Sequence, residues 1–194
     1  MKDIKKMKKR PAVILDVDET VLDNSPYEVK LIQENKNYPW GWDNWCRLAV
    51  AKPIPGVEKF LKYIDSKGIA IFYVTNRKSH LFHCTLENLK NEGLPQATEK
   101  NLMVRTSSSS KQPRRDKVSK DHEILLLIGD NLNDFSDLFH KKDFEERRKN
   151  ADKLREEFGK RFIILPNPMY GDWEPYSMSE EERLEYLENV EGKI

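Results

Sequence analysis

Four short apolar runs, each ending in polar or acidic residues, constrain this 194-residue chain more than any other feature. Ala12–Leu15 runs into Asp16, Ile69–Val74 into Thr75-Asn76-Arg77, Ile124–Ile128 into Gly129-Asp130, and Phe162–Leu165 into Pro166-Asn167. A run that is apolar at every position, rather than at alternate ones, belongs to a strand covered on both faces. Helical spacing lies between the runs: Val57, Phe60, Leu61 and Ile64 before Gly68, and Phe82, Leu86 and Leu89 after Ser79 and before Gly93. A charged stretch from Phe144 to Phe158 reads as a surface helix stopped by Gly159, and Ser179 with Glu182 reads as the capping box of a last helix through Val190. Strands alternating with helices predict an α/β fold with a largely parallel sheet.

Residues 24–54 break the alternation, being too long for a simple strand-to-helix loop. They carry Tyr27, Tyr38, Trp40, Trp42 and Trp45, and predict an inserted aromatic-rich helical cap over the strand ends. The expected organisation is a basic leader at 1–10, a core at 11–175 with the cap inside it, and a C-terminal helix at 176–194. Residues 105–113 read as a polar loop.

Composition limits the choice of function. Lys plus Arg number 34 against 33 Asp plus Glu, a net charge of +1, so no global field draws the chain to a nucleic-acid polymer or an anionic membrane. The leader holds six Lys/Arg and reads as a solvated end, with a nucleic-acid arm as the alternative. No apolar run approaches the roughly 20 residues of a membrane span. Cys46 and Cys84 fit no zinc or disulfide-framework spacing.

The chemistry sits at the strand ends, where open α/β sheets bind their ligands. Asp16-Val17-Asp18-Glu19-Thr20 follows the first strand, and extended residues two apart point the same way. Taken alone, the motif also fits a turn with two capping aspartates. Asp130 and Asp134 follow another strand at a spacing that shares one face of a helical turn; alone they also fit a helix cap. Thr75, Asn76 and Arg77 supply a hydroxyl and amide donors at a third end, and Lys111 supplies a cation from the polar loop. Lys117 is the alternative lysine. Clustered carboxylates need a cation, and oxygen ligands without His or Cys suit Mg2+. A carboxylate nucleophile, a second carboxyl for proton transfer and a lysine for charge stabilisation describe phosphoryl transfer to water.

The same segments resemble the four motifs of the haloacid dehalogenase-like (HAD) phosphatases, and more closely the class C acid phosphatases, the bacterial lipoprotein acid phosphatase and 5′-nucleotidase family. The resemblance is carried by Ala12–Tyr27, Tyr73–Arg77, Ile128–Phe135 and Phe158–Glu174, with Trp42 and Trp45 ahead of Pro53-Ile54-Pro55-Gly56. It implies a HAD-like Rossmannoid sheet and an Mg2+-dependent phosphomonoesterase. Asp16 matches the nucleophile and a metal ligand; Asp18 matches the acid/base and lends its carbonyl to the metal. Thr75, Asn76 and Lys111 match the phosphate-binding set, Asp130 a metal ligand, and Asp134 the acid behind it. The family also implies nucleoside monophosphate substrates, with Trp42, Trp45, Arg77 and Tyr170 as substrate-binding candidates; Trp42 and Trp45 read equally well as cap core. A catalytically silent scaffold that binds a nucleotide or a protein is the alternative, and the intact motif residues speak against it. The resemblance leaves a homodimer open. Relatives carry a leader with a lipid-anchoring cysteine, implying the bacterial cell envelope. No such cysteine precedes the first strand here, so the chain as given reads as soluble, with a cytoplasmic location open.

Overall fold

The computed structural model describes residues 7–171. In chain order it contains β1 (Arg10–Leu15), β2 (Leu22–Asp23), α1 (Ser25–Glu34), α2 (Trp42–Leu48), β3 (Lys52–Pro53), α3 (Val57–Ser66), β4 (Ala70–Lys78), α4 (Phe82–Asn91), β5 (Leu102–Arg105), α5 (Gln112–Asp121), β6 (His122–Gly129), α6 (Phe144–Lys153) and β7 (Phe162–Ile164). The expected C-terminal helix and most of the basic leader lie outside the described residues. Among the described residues no helix is long and apolar enough to cross a membrane.

Five strands form one parallel sheet in the order β5-β4-β1-β6-β7. β1 is central, and both of its faces are covered. Val13 and Leu15 pack with Leu61 and Ile64 of α3 and with Leu86 and Leu89 of α4. Ala12 and Ile14 pack on the other face with Val118 of α5 and with Phe135 and Phe162. Covering both faces is why the run shows no polar alternation. The register aligns Leu15 with Tyr73 of β4 and Ile128 of β6, so Asp16, Thr75 and Asp130, each one or two residues further on, lie toward the same end of the sheet. Between β1 and α3, residues 24–54 hold α1, α2 and β3, and β3 pairs antiparallel with β2.

Three local differences from the sequence reading have physical causes. β5 is absent from the apolar pattern because it is short, lies at the sheet edge and buries only Leu102 fully. β4 continues to Lys78, so Ser79–Leu81 forms a 3-10 turn and α4 starts at Phe82 without a side-chain cap from Ser79. α6 ends at Lys153 and is followed by a 3-10 turn at Arg155–Glu157, because Leu154 turns in to pack on the core.

Candidate active site

Asp16 is the first residue past β1. Its N–H still donates to Ile128 O at 2.9 Å, so the sheet ladder fixes where its side chain leaves the backbone. That side chain is buried, with Lys111 bonded to Oδ1. Lys111 immediately precedes α5 and also donates to Asp134 Oδ1 at 2.5 Å. Lys117, the alternative lysine, is exposed on α5. Burial opposes the charge on Lys111, but Asp134 and Asp16 outweigh it and hold its pKa above the ordinary value.

Asp130 and Asp134 lie on the turn after β6. Asn131 caps this turn: its Oδ1 accepts from Asn133 N at 3.1 Å, while Asp134 Oδ2 accepts from Asn131 N at 3.0 Å. The Asp134 carboxylate therefore folds back beneath the end of β6, and a Cβ on Gly129 would overlap it. Gly129 is dictated by this close approach, not by an unusual backbone angle. Gly129→Ala is expected to displace Asp134 and, through it, Lys111. Activity should fall at least tenfold and stability by about 1–3 kcal/mol, measured by turnover and by denaturant melts.

One carboxylate oxygen each from Asp16, Asp130 and Asp134 lie within 4.8 Å of one another. Three carboxylates against one lysine leave an excess of negative charge. Burial, with Lys111 in partial opposition and Asp134, Asp130 and Asp18 in support, pushes Asp16 well above the usual carboxylate range. Burial and then Asp134 push Asp130 up to about 6. A carboxyl that binds its proton more tightly in the folded chain favours folding below its unfolded pKa near 4, and loses that contribution as pH rises through about 6. A divalent cation would relieve the same repulsion, so the donor set fits one.

Asp18 is gripped from two sides. Arg77 reaches it through Nη2 at 2.7 Å and Nε at 3.0 and 3.2 Å, and Thr75 Oγ1 donates to it at 3.3 Å. Asn24 Nδ2 donates from the cap side at 2.9 Å. Glu19, next in the chain, is held by Asn24 N at 3.0 Å and by the Tyr170 hydroxyl. Its burial, with Asp18 beside it, pushes it up to about 9.

The expected substrate contacts are placed differently from the acids. Arg77 is buried, and its donors go to Asp18 and to Thr85 Oγ1 at 3.3 Å. Arg77 N also donates to Thr75 Oγ1 at 3.0 Å. Trp42 lies over the Arg77 guanidinium, 5.4 Å from the ring centroid, and meets Tyr27 and Tyr38 edge-on. Trp45 packs on the core and donates Nε1–H to Asn24 Oδ1 at 2.8 Å. Tyr170 is tied to Glu19. Asn76 is exposed, with Oδ1 accepting from Arg114 Nη2 at 2.7 Å.

Two arginines escaped the sequence reading. Arg114 bridges Thr75 O at 2.5 Å, Asn76 Oδ1 and Ser110 O, fastening the Lys111 loop to the end of β4. Arg115 is buried and donates to the carbonyls of Asn133 and Asp134 at 3.0 Å each. Their signal is weak in sequence: two basic residues one helical turn beyond Lys111, on a helix otherwise rich in charge.

The chain matches the model of HAD superfamily subfamily IIIB, acid phosphatase, over residues 1–173. The chain belongs to this family. Its fold is that of the class C acid phosphatase from Bacillus anthracis, with 41% identity over 95% of this chain and 80% of that one, and a TM-score of 0.89. The tungstate-bound form of that enzyme matches at 40% identity over 95% and 81%, with a TM-score of 0.88. A chain of the Pnkp1/Rnl/Hen1 RNA repair complex, 16% identical over 86% of this chain and 45% of that one, shares the fold at a TM-score of 0.53. The subfamily IIIB chain described here is thus a phosphoric monoester hydrolase. HAD phosphatases use a divalent metal, and the acidic cluster at the strand ends is where a metal would sit.

Proposed function

We propose that the protein is an Mg2+-dependent phosphomonoesterase that works through an aspartyl-phosphate on Asp16 and accepts nucleoside monophosphates. The observation that carries this reading is the buried Asp16 carboxylate, set by the sheet ladder beside Lys111 and two further acids. Asp16, Asp130 and the Asp18 carbonyl would hold the metal. Asp134 is assigned a supporting role because its two oxygens already receive Lys111 and Asn131 N. When bound, the metal offsets the negative charge of the carboxylates and of the phosphoryl group.

The residues divide the reaction as follows. An Asp16 oxygen bonds to phosphorus as the bond from phosphorus to the leaving alkoxide breaks. Asp18 passes its proton to that leaving oxygen. A water then gives its proton to Asp18 and attacks phosphorus, releasing inorganic phosphate and restoring the Asp16 carboxylate. Lys111 stabilises charge on the phosphoryl oxygens, and Thr75 and Asn76 supply polar contacts at the end of β4. Trp42, lying beside the Arg77–Asp18 pair, is the aromatic assigned to stack on a base, a contact contributing roughly 1–3 kcal/mol with little preference among bases.

The test is phosphate release from p-nitrophenyl phosphate and from a panel of nucleoside monophosphates. Turnover is expected with Mg2+, lost with EDTA and restored by added Mg2+. The Trp42→Ala variant is expected to raise KM for nucleotides about tenfold or more with p-nitrophenyl phosphate less affected. Turnover indifferent to EDTA would reject the metal assignment. An unchanged nucleotide preference in Trp42→Ala would reject the stacking assignment.

A further inference from the structure

Asn24 is fully buried at the junction between the cap and the end of β1. Its Nδ2 donates to Asp18 Oδ1 at 2.9 Å and to Glu19 Oε2 at 3.3 Å, and its Oδ1 accepts from Trp45 Nε1 at 2.8 Å. An indole N–H is a donor only, and the two carboxyl groups offer acceptor oxygens. The amide therefore has one orientation that satisfies both sides. Turned over, it would set its carbonyl against the Asp18 carboxylate and its NH2 against the indole N–H, leaving buried polar groups in conflict. The Trp45 donor and the two carboxyl groups thus select the same end of Asn24 to face Asp18.

We propose that Asn24 is a positioning residue for Asp18, locked by Trp45, so that α2 of the cap helps to aim the proton-transferring carboxyl at the leaving oxygen. The inference rests on the reading of Asp18 as the acid/base. It gives Trp45 a task other than base stacking, and it explains why a core-packed indole keeps its N–H turned toward the strand end. Arg77 and Thr75 hold Asp18 from β4, while Asn24 holds it from the cap. Aim toward a point between the two depends on both. Removing the cap-side bond leaves Asp18 tethered through β4 alone.

The test separates proton transfer from binding and folding. Values of kcat/KM, which report the steps through departure of the leaving group, are measured for a series of substituted phenyl phosphates of increasing phenol acidity. Protonation matters most for the least acidic phenol and little for the most acidic one. Asp18→Asn should steepen this dependence strongly. Trp45→Phe, which keeps an aromatic ring against the core and loses the N–H, should lose about tenfold with the poorest leaving group, within the ~10²-fold that a misplacement of about 1 Å costs. Its rate with the best leaving group should stay within about twofold of wild type. Asn24→Asp should shift the slope in the same direction and further. If Asp18→Asn steepens the slope while Trp45→Phe and Asn24→Asp leave it at the wild-type value, the positioning role is overturned and the acid/base reading stands. If Asp18→Asn leaves the slope unchanged, the acid/base reading falls and takes the positioning role with it. A uniform loss across the series in Trp45→Phe, with no change of slope, also overturns the proposal.

Discussion

Asp16→Asn is expected to remove phosphatase activity by roughly 10⁴-fold or more, because an amide in that place cannot form the acyl phosphate and the remaining residues act on a bond that is never opened. The fold should survive. The substitution preserves volume, and it removes one of three crowded carboxylates whose burial pushes Asp16 well above the usual range. Without metal, the variant should therefore be at least as stable as wild type at neutral pH. With Mg2+, the advantage should shrink, since the cation has lost a ligand. The measurements are phosphate release from p-nitrophenyl phosphate and thermal melts with and without Mg2+. Wild-type turnover in a folded Asp16→Asn protein would reject the covalent route.

Lys111→Met is expected to have the second largest effect, on stability as well as on rate. Lys111 is buried between Asp16 and Asp134, so its loss leaves two carboxylates facing each other without the cation that holds them. Breaking a buried ion pair from one side costs about 3–5 kcal/mol. Turnover should fall by about 10²–10³-fold, the scale of a lost donor to a transition-state oxyanion. Mg2+ should recover part of the stability and little of the rate. Lys111→Arg should not restore activity, because a planar fork does not replace a compact ammonium between two carboxylates. Lys117→Met is the control. Lys117 is exposed, so neither stability nor rate should move. The reverse result, a silent Lys111→Met and a dead Lys117→Met, would move the lysine role to α5.

The acids of the site were legible in the sequence because each follows closely on a strand that had to be buried. β1 and β6 announce themselves as unbroken apolar runs, and Asp16, Asp18, Asp130 and Asp134 stand where those runs stop. β5 was hidden because an edge strand buries little and needs no apolar run. Arg114, Arg115 and Asn24 were hidden for a different reason. Arg114 and Arg115 bond to carbonyls on other elements and Asn24 to carboxylates five and six residues back, and a polar residue on a helix or turn looks the same in sequence whether it is solvated or buried. Gly129 was visible as a glycine, but the crowding that requires it appears only when Asp134 folds back beneath it.

By itself, then, the order of residues determined the parallel sheet, the strand ends that meet and the acids carried there, because local hydrophobic continuity and local motif spacing are properties of neighbouring residues. Tertiary structure alone decided who holds whom. Lys111 and not Lys117 reaches the carboxylates, Arg77 turns inward to Asp18, Tyr170 closes on Glu19, and Trp45 gives its N–H to Asn24. These choices depend on the packing of the cap and α5 against the sheet edge. There, a buried donor or acceptor must take whichever partner the fold brings within reach.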